Sequence, residues 1–402
     1  MIRRVLLILF ILSLPICQAQ EIDILLLTSL ESVTSLGLMF KADPLIDYVG
    51  VPCRAEGLVA KGADPTEMMR FIRIYFPRRY QEMKEFELII LNGAEYQLFT
   101  PEQDKMMYDA VMEGTGGING PSVLSCDHVI SLAWAYSKLS DAFPNDADLV
   151  AEKLDGGRRT GAARVEVNRD FPDPVLTPFI PYGLEDIVFN AGRFVEEKQG
   201  AEVMAWQVGG TPGPRVKYLC AWDYEKGRTI TSGDFVSYND IFSVNPRPVG
   251  GVILMNMILY TAQRDLIEDV ALYRNLRSKF LDFRNKMALL ISLKDFVDSF
   301  GANTDEIELE ARRLEGIYDE GVEHYRDQEF QKAEDTMSLA LDEFAYLEEL
   351  AREVKDRALL WVYVIEWLVT SSALFISGFV LWTLMVRRKL YREVEGTRFD
   401  RA

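Results

Sequence analysis

The chain has 402 residues, 44 Lys and Arg against 62 Asp and Glu, and a formal net charge of -18. That length accommodates two or three domains, and a hydrophobic fraction of 49% excludes wholesale disorder. Phosphate contacts need clustered Lys and Arg, and a chain acidic almost throughout is not expected to bind nucleic acid. Four Cys and two His exclude a disulfide scaffold and leave little for a zinc site, so neither metal nor cofactor is expected.

Residues 1–19 read as a secretory signal peptide. Arg3 and Arg4 form a charged start, an apolar run follows from Val5 to Leu14, and Cys17-Gln18-Ala19 sets small residues before a cleavage point after Ala19. Beyond it, residues 22–28 (IDILLLT) and Leu88–Leu91 are apolar runs of strand length, the pattern of strands covered on both faces, and Tyr48–Val51 is a further strand. Asp64-Pro65 starts a helix over Pro65–Glu85, with Asp as cap and Pro at the first helical position. Thr100-Pro101 starts another, to Glu113, before the Gly-rich turn Gly114–Gly117. Strand–helix alternation predicts an α/β domain over residues 20–264, a doubly wound, mostly parallel, flavodoxin-like sheet. Residues 150–215, rich in Pro and Gly, read as loops and short strands. Val216–Ser232 reads as a hairpin around Glu225-Lys226-Gly227, with Gly227 supplying a positive φ, and Gly251–Ala262 reads as an apolar helix.

From Arg264 the period becomes helical. Leu266, Val270, Tyr273, Leu276, Phe280, Phe283, Met287 and Leu290 recur at three- and four-residue steps. Gly301–Thr304 breaks the pattern, and Thr304 can cap a second helix carrying Ile307, Leu314, Ile317 and Tyr325. A third carries Ala333, Met337, Leu341, Phe344, Leu347 and Val354. Residues 265–357 therefore form a helical hairpin or coiled-coil stalk with solvated acidic faces, through which a protein partner or a second copy of the chain can pack. Residues 358–386 follow as a membrane-spanning helix, bordered by Trp361, Tyr363, Trp367 and Trp382. The tail 387–402 opens with Arg387, Arg388 and Lys389, which places it in the cytoplasm and residues 20 to about 360 outside. Glu366 sits at the outer edge of the span, as an interfacial residue or a contact to a partner helix.

In an open α/β sheet, ligands sit beyond the carboxyl ends of the strands. That rule selects Ser29 and Glu31 after the first strand, Asn92, Gly93 and Glu95 after Leu91, Asn119, Gly120 and Ser122 after the Gly-rich turn, and Asp234 after the hairpin. Cys126 and His128, two residues apart, would share a face on a strand and form a thiol–imidazole pair. Cys53 and Cys220 are either a disulfide or two buried thiols.

The element order, the turn EGTGGINGPS (113–122), the phrase WAYSKLSDAFP (134–144) and the hairpin AWDYEKGRTITSGD (221–234) together resemble the class I glutamine amidotransferase-like superfamily, closest to a membrane branch that lacks enzymatic residues. The resemblance covers about residues 21–264. It implies a catalytic Cys on a sharp turn, paired with a His. This chain departs at both places: Gly117-Ile118-Asn119-Gly120-Pro121 contains no Cys, and Gly233-Asp234 stands where Gly-His is expected. The catalytic pair cannot be carried over. The expected function is a membrane-anchored, extracytoplasmic binding or structural protein. The alternatives are an amide hydrolase using Cys126 and His128, and a subunit of a larger membrane complex.

Overall fold

The computed structural model describes residues 21–41, 43–54, 64–113, 122–126, 132–146, 160–190, 192–211, 213, 215–233 and 249–399. They divide into two compact units. Unit 1 comprises residues up to Leu281 with Glu320–Met337, and unit 2 comprises Asp282–Asp319 with Ser338 onward. The division runs through the long helices rather than at residue 264.

Unit 1 is built on one nine-stranded sheet. Its strands are β1 (Ile22–Thr28), β2 (Ile46–Pro52), β3 (Leu88–Asn92), β4 (Ser122–Cys126), β5 (Thr160–Val167), β6 (Phe189–Asn190), β7 (Glu202–Thr211), β8 (Arg215–Tyr224) and β9 (Gly227–Ser232). The spatial order is β2-β1-β3-β4-β9-β8-β7-β5-β6. From β2 to β9 neighbours are parallel. From β9 onward every pair is antiparallel. The sheet is thus mixed, and the mostly parallel sheet expected from the sequence is corrected. The Gly- and Pro-rich stretch, which reads as loops and short strands, supplies β5 and the ten-residue β7, because glycines at positive φ, Gly209 (90°) and Gly210 (76°), let β7 bend without leaving the ladder. A Cβ on Gly209 would stand 2.8 Å from the Ala162 carbonyl oxygen.

The unit 1 helices are α1 (Leu30–Lys41), α2 (Pro65–Tyr75), α3 (Tyr80–Met83), α4 (Pro101–Glu113), α5 (Leu132–Ala135) and α6 (Gly250–Thr261). Asp64 caps α2 as the sequence suggests, its carboxylate accepting from the Thr66 amide at 2.9 Å. The expected single helix to Glu85 is two, because Pro77 cannot continue the hydrogen-bond ladder. Met68, Ile72, Met107, Ala110 and Val111 from α2 and α4 bury against Leu25, Leu27, Ile89, Leu91 and Val123 of the sheet. Ile24, Leu26, Leu88 and Ile90, which alternate with these, are also fully buried, which is why the strands read as unbroken apolar runs. In the β8–β9 hairpin the positive φ falls at Glu225 (53°), not at Gly227, since the two-residue loop is Glu225-Lys226 and Gly227 already pairs with Tyr224.

Three long helices complete the chain: α7 (Val270–Asp298), α8 (Asp305–Arg326) and α9 (Phe330–Phe399). The buried positions of α9 (Ala333, Met337, Ala340, Phe344, Leu347, Ala351 and Ala358) follow a heptad pattern. Ala340 takes the core position that the sequence reading gave to Leu341, which is half-buried. Within unit 2, Phe283 packs edge-on against Phe344 and Lys286 pairs with Glu348 at 3.0 Å. α9 runs uninterrupted for 70 residues, about 105 Å at 1.5 Å per residue. It is the one helix among the described residues long and apolar enough to cross a membrane.

Candidate functional site

The register of the parallel strands sets one row at their carboxyl ends: Pro52, Thr28, Asn92, Cys126 and Ser232. Thr28, Asn92 and Ser232 are fully buried. The Thr28 hydroxyl donates to the Asn92 backbone carbonyl at 2.9 Å and accepts from the Asn92 side-chain amide at 3.1 Å. The chain leaves β2 through Cys53, whose amide donates to the Thr28 carbonyl at 2.8 Å and whose thiol lies 3.7 Å from the same oxygen. The Cys53 carbonyl accepts from the Glu95 amide at 3.0 Å. Gly93 makes the turn after Asn92 at a φ of 74°, a conformation that costs glycine little. The Trp134 indole donates to the Ala94 carbonyl at 2.8 Å, and its ring packs against Phe99 and Phe143.

Of the residues selected from the sequence, Ser29, Asn92, Gly93 and Glu95 come together at this edge. Ser29 caps α1, its hydroxyl accepting from the Ser32 amide at 3.2 Å. Glu31 lies in the first turn of α1. Cys126 ends β4, in register with Asn92 and Ser232. Ser122 is elsewhere: it opens β4, so it lies at the amino edge, where its hydroxyl accepts from the Arg228 amide at 3.1 Å. Asn119, Gly120, His128 and Asp234 lie outside the described residues, and with them the Cys126–His128 pair. Cys53 and Cys220 are separate, buried, free thiols, so the disulfide is not formed. Burial, with Glu95 close by, pushes the Cys53 thiol well up, and burial with Glu197 close by does the same for Cys220. Neither is a ready nucleophile. Among the described residues no group of three or more His, Cys, Asp or Glu side chains can hold a metal ion.

Behind the row runs a second buried polar chain. The Ser125 and Thr231 hydroxyls are 2.6 Å apart, and Thr231 donates to the Asn145 side-chain oxygen at 2.9 Å. Just past Ser232, Gly233 presses against the Arg193 carbonyl so closely that a Cβ would collide with it.

The amino edge carries charge. Asp43, three residues before β2, is buried and pairs with Arg277 of α7 at 2.9 Å. Its carboxylate also accepts from the Tyr325 hydroxyl at 3.1 Å, the Tyr273 hydroxyl at 3.3 Å and the Leu45 amide at 3.1 Å. Burial alone would lower the pKa of Arg277, but Asp43 reverses this and raises it. Burial and Asp43 push both tyrosines up. Arg264 grips Glu87 through both carboxylate oxygens, at 2.8 and 2.9 Å, and Arg326 pairs with Glu21. Sequence reading missed Asp43. Its only local signal is the Asp-Pro step before a strand.

No protein-family model and no curated protein matches the chain. Among solved structures it resembles a cytoplasmic protein from Salmonella typhimurium LT2, at 14% identity and a TM-score of 0.44, over 60% of this chain and 99% of that one. A second cytoplasmic protein from Salmonella typhimurium aligns at 14% identity and a TM-score of 0.42, over 59% of this chain and 98% of the other.

Proposed function

We propose that the protein is a membrane-anchored binding or structural module, related to the glutamine amidotransferase-like superfamily but without its catalytic pair. An extracytoplasmic α/β domain is held on a helical stalk that continues into a single span, and the carboxyl edge of the parallel strands is its recognition face. The observation that carries this reading is α9. Its first turns are packed through Ala333, Met337 and Ala340, and the same unbroken helix exposes apolar side chains from Leu360 to Val386 before Arg387, Arg388 and Lys389. An exposed apolar stretch of that length is costly in water and suited to lipid. Supporting a binding role, the Thr28–Asn92 pair and the buried Cys53 thiol form a preformed, neutral row beside Glu95. Alkaline extraction of membranes tests the anchoring, since an integral protein stays with the bilayer. Release of the full chain into the supernatant would sink the proposal. Protease added outside intact cells tests the orientation: it should remove the α/β domain and spare the tail.

A second reading rests on Cys126, at the carboxyl end of a strand in the interior of the sheet. There it would serve as the nucleophile of an amide hydrolase, with His128 as base. This requires thiol-dependent amide hydrolysis by the full chain that Cys126→Ser abolishes. A folded protein whose Cys126 resists a thiol reagent at neutral pH excludes it.

A further inference from the structure

The turn between α7 and α8 differs in chemistry from the helices it joins. Asp295, Asp298, Asp305, Glu306 and Glu308 flank it, yet residues 299–304 (SFGANT) carry no charge. Phe296 and Phe300 stand here with 46% and 45% of their surface exposed and their rings 4.9 Å apart, edge to face. They are held in place rather than loose. Val297 between them is buried, the Phe300 amide donates to the Val297 carbonyl at 3.0 Å, and Gly301 turns the chain at a φ of 74°. Thr304 spends its hydroxyl on Asp298 at 2.6 Å, and Lys294 reaches the same carboxylate at 3.1 Å, which closes the turn.

The height of this tip along α9 follows from helix geometry. Phe283 meets Phe344 and Lys286 meets Glu348, so α7 and α9 run in the same direction. Both rise about 1.5 Å per residue. Ten to fourteen residues beyond Lys286 lie Phe296 and Phe300. The same distance beyond Glu348 reaches Ala358 to Val362. Ala358 is the last buried residue before the apolar stretch of α9, and Leu360, Trp361 and Tyr363 just beyond it are exposed. The two phenylalanines therefore stand level with the first aromatic residues of the apolar stretch, where an aromatic belt meets the headgroups.

We propose that the α7–α8 tip rests on the bilayer surface, with Phe296 and Phe300 seated at the boundary between headgroups and acyl chains beside the first turns of the span. Aromatic side chains on an uncharged turn fit that boundary. The acidic flanks repel anionic lipid, so the surface it fits is zwitterionic. A second contact beside the span fixes the tilt of the stalk, which a single helix leaves free. This inference rests on the spanning reading of α9.

The test uses the full chain in phosphatidylcholine nanodiscs, with Cys17 and Cys126 replaced by Ser and nitroxide labels placed one at a time. Phe300→Cys and Asn303→Cys probe the tip, Glu315→Cys reports water, and Ser372→Cys reports lipid. The expected result is an oxygen-to-nickel accessibility ratio at both tip sites several-fold above that at residue 315 and below that at residue 372. Tip sites matching residue 315 while residue 372 reads as lipid overturn the tip contact and leave the span intact. A water-like reading at residue 372 overturns both. Nanodiscs of phosphatidylglycerol should lower the tip ratio, and an unchanged or higher ratio there overturns the assignment to zwitterionic lipid.

Discussion

At the carboxyl ends of β1, β3 and β9 the buried polar groups are hydroxyls, an amide and, one residue past β2, a thiol. Beyond the amino ends of the same sheet they are a carboxylate, a guanidinium and two phenols. The Thr28–Asn92 pair spans neighbouring strands in register. Asp43 draws its partners from far away in sequence: Tyr273 is 230 residues distant and Tyr325 is 282. A neutral group can be satisfied by whatever lies across the ladder, whereas a buried charge demands a specific counter-charge, here brought by the helices. The difference assigns the two edges different work. The amino edge ties the start of α7 and the end of α8 to the sheet, whereas the fully buried polar groups of the carboxyl edge are neutral and tie neighbouring strands to each other.

The sharpest way to break this contrast is to remove the charge at the amino edge. Asp43→Ala leaves Arg277 buried without its partner and two phenols without their acceptor. The expected loss is about 3–5 kcal/mol, read as a lower denaturation midpoint of the detergent-solubilised chain. Replacing both partners, Asp43→Leu with Arg277→Met, should recover much of that loss, since no uncompensated charge remains. If the double variant is no better than the single one, the pair acts through shape rather than charge.

The same operation at the carboxyl edge should cost less. Asn92→Leu removes the side-chain amide that donates to the Thr28 hydroxyl, with no ion left behind, and the expected loss is about 1–3 kcal/mol. Adding Thr28→Val should make the pair of changes less than additive, because the Asn92 side-chain amide donates to the Thr28 hydroxyl. Full additivity in a double-mutant cycle would show that they act separately.

Legibility in the sequence divides along similar lines. β1, β3 and α4 were readable because each announces itself locally, by an unbroken apolar run or a Pro at the first helical turn. The helical spacing from Arg264 onward was readable for the same reason. In the antiparallel half of the sheet the β8–β9 hairpin was readable too, but the lengths and pairing of β5 and β7 were not. Gly209 and Gly210 look like loop residues, and only the closeness of the Ala162 backbone shows that they bend a strand. Of the candidate site, the row through Asn92 followed from placing strand ends, while Ser122 was misplaced because the Gly-rich turn before it hid where β4 begins. Thr28 and Ser232 escaped notice because nothing in a Thr or Ser at a strand end distinguishes it until the register is known.

The smallest expected effect is the most selective, since it asks whether the amino edge carries more negative charge than it can neutralise. Asp23 lies on β1 beside that edge. Burial, then Asp47, Glu87, Glu21 and Glu85, raise its pKa from 3.8 to about 6. The folded state thus holds the proton more tightly than the unfolded chain does. Ionised Asp23 opposes folding above pH 6, and that opposition fades as the pH falls from about 6 toward 4. Asp23→Asn should accordingly stabilise the protein at pH 7 by about 1 kcal/mol, a figure already reduced for solvent screening of a half-exposed group. At pH 4 the gain should vanish, because the native carboxyl is then protonated as well. Melting temperatures of the two proteins at both pH values decide it. A gain that persists unchanged at pH 4 would mean that the amide makes a better contact, and that the charge of the amino edge is balanced after all.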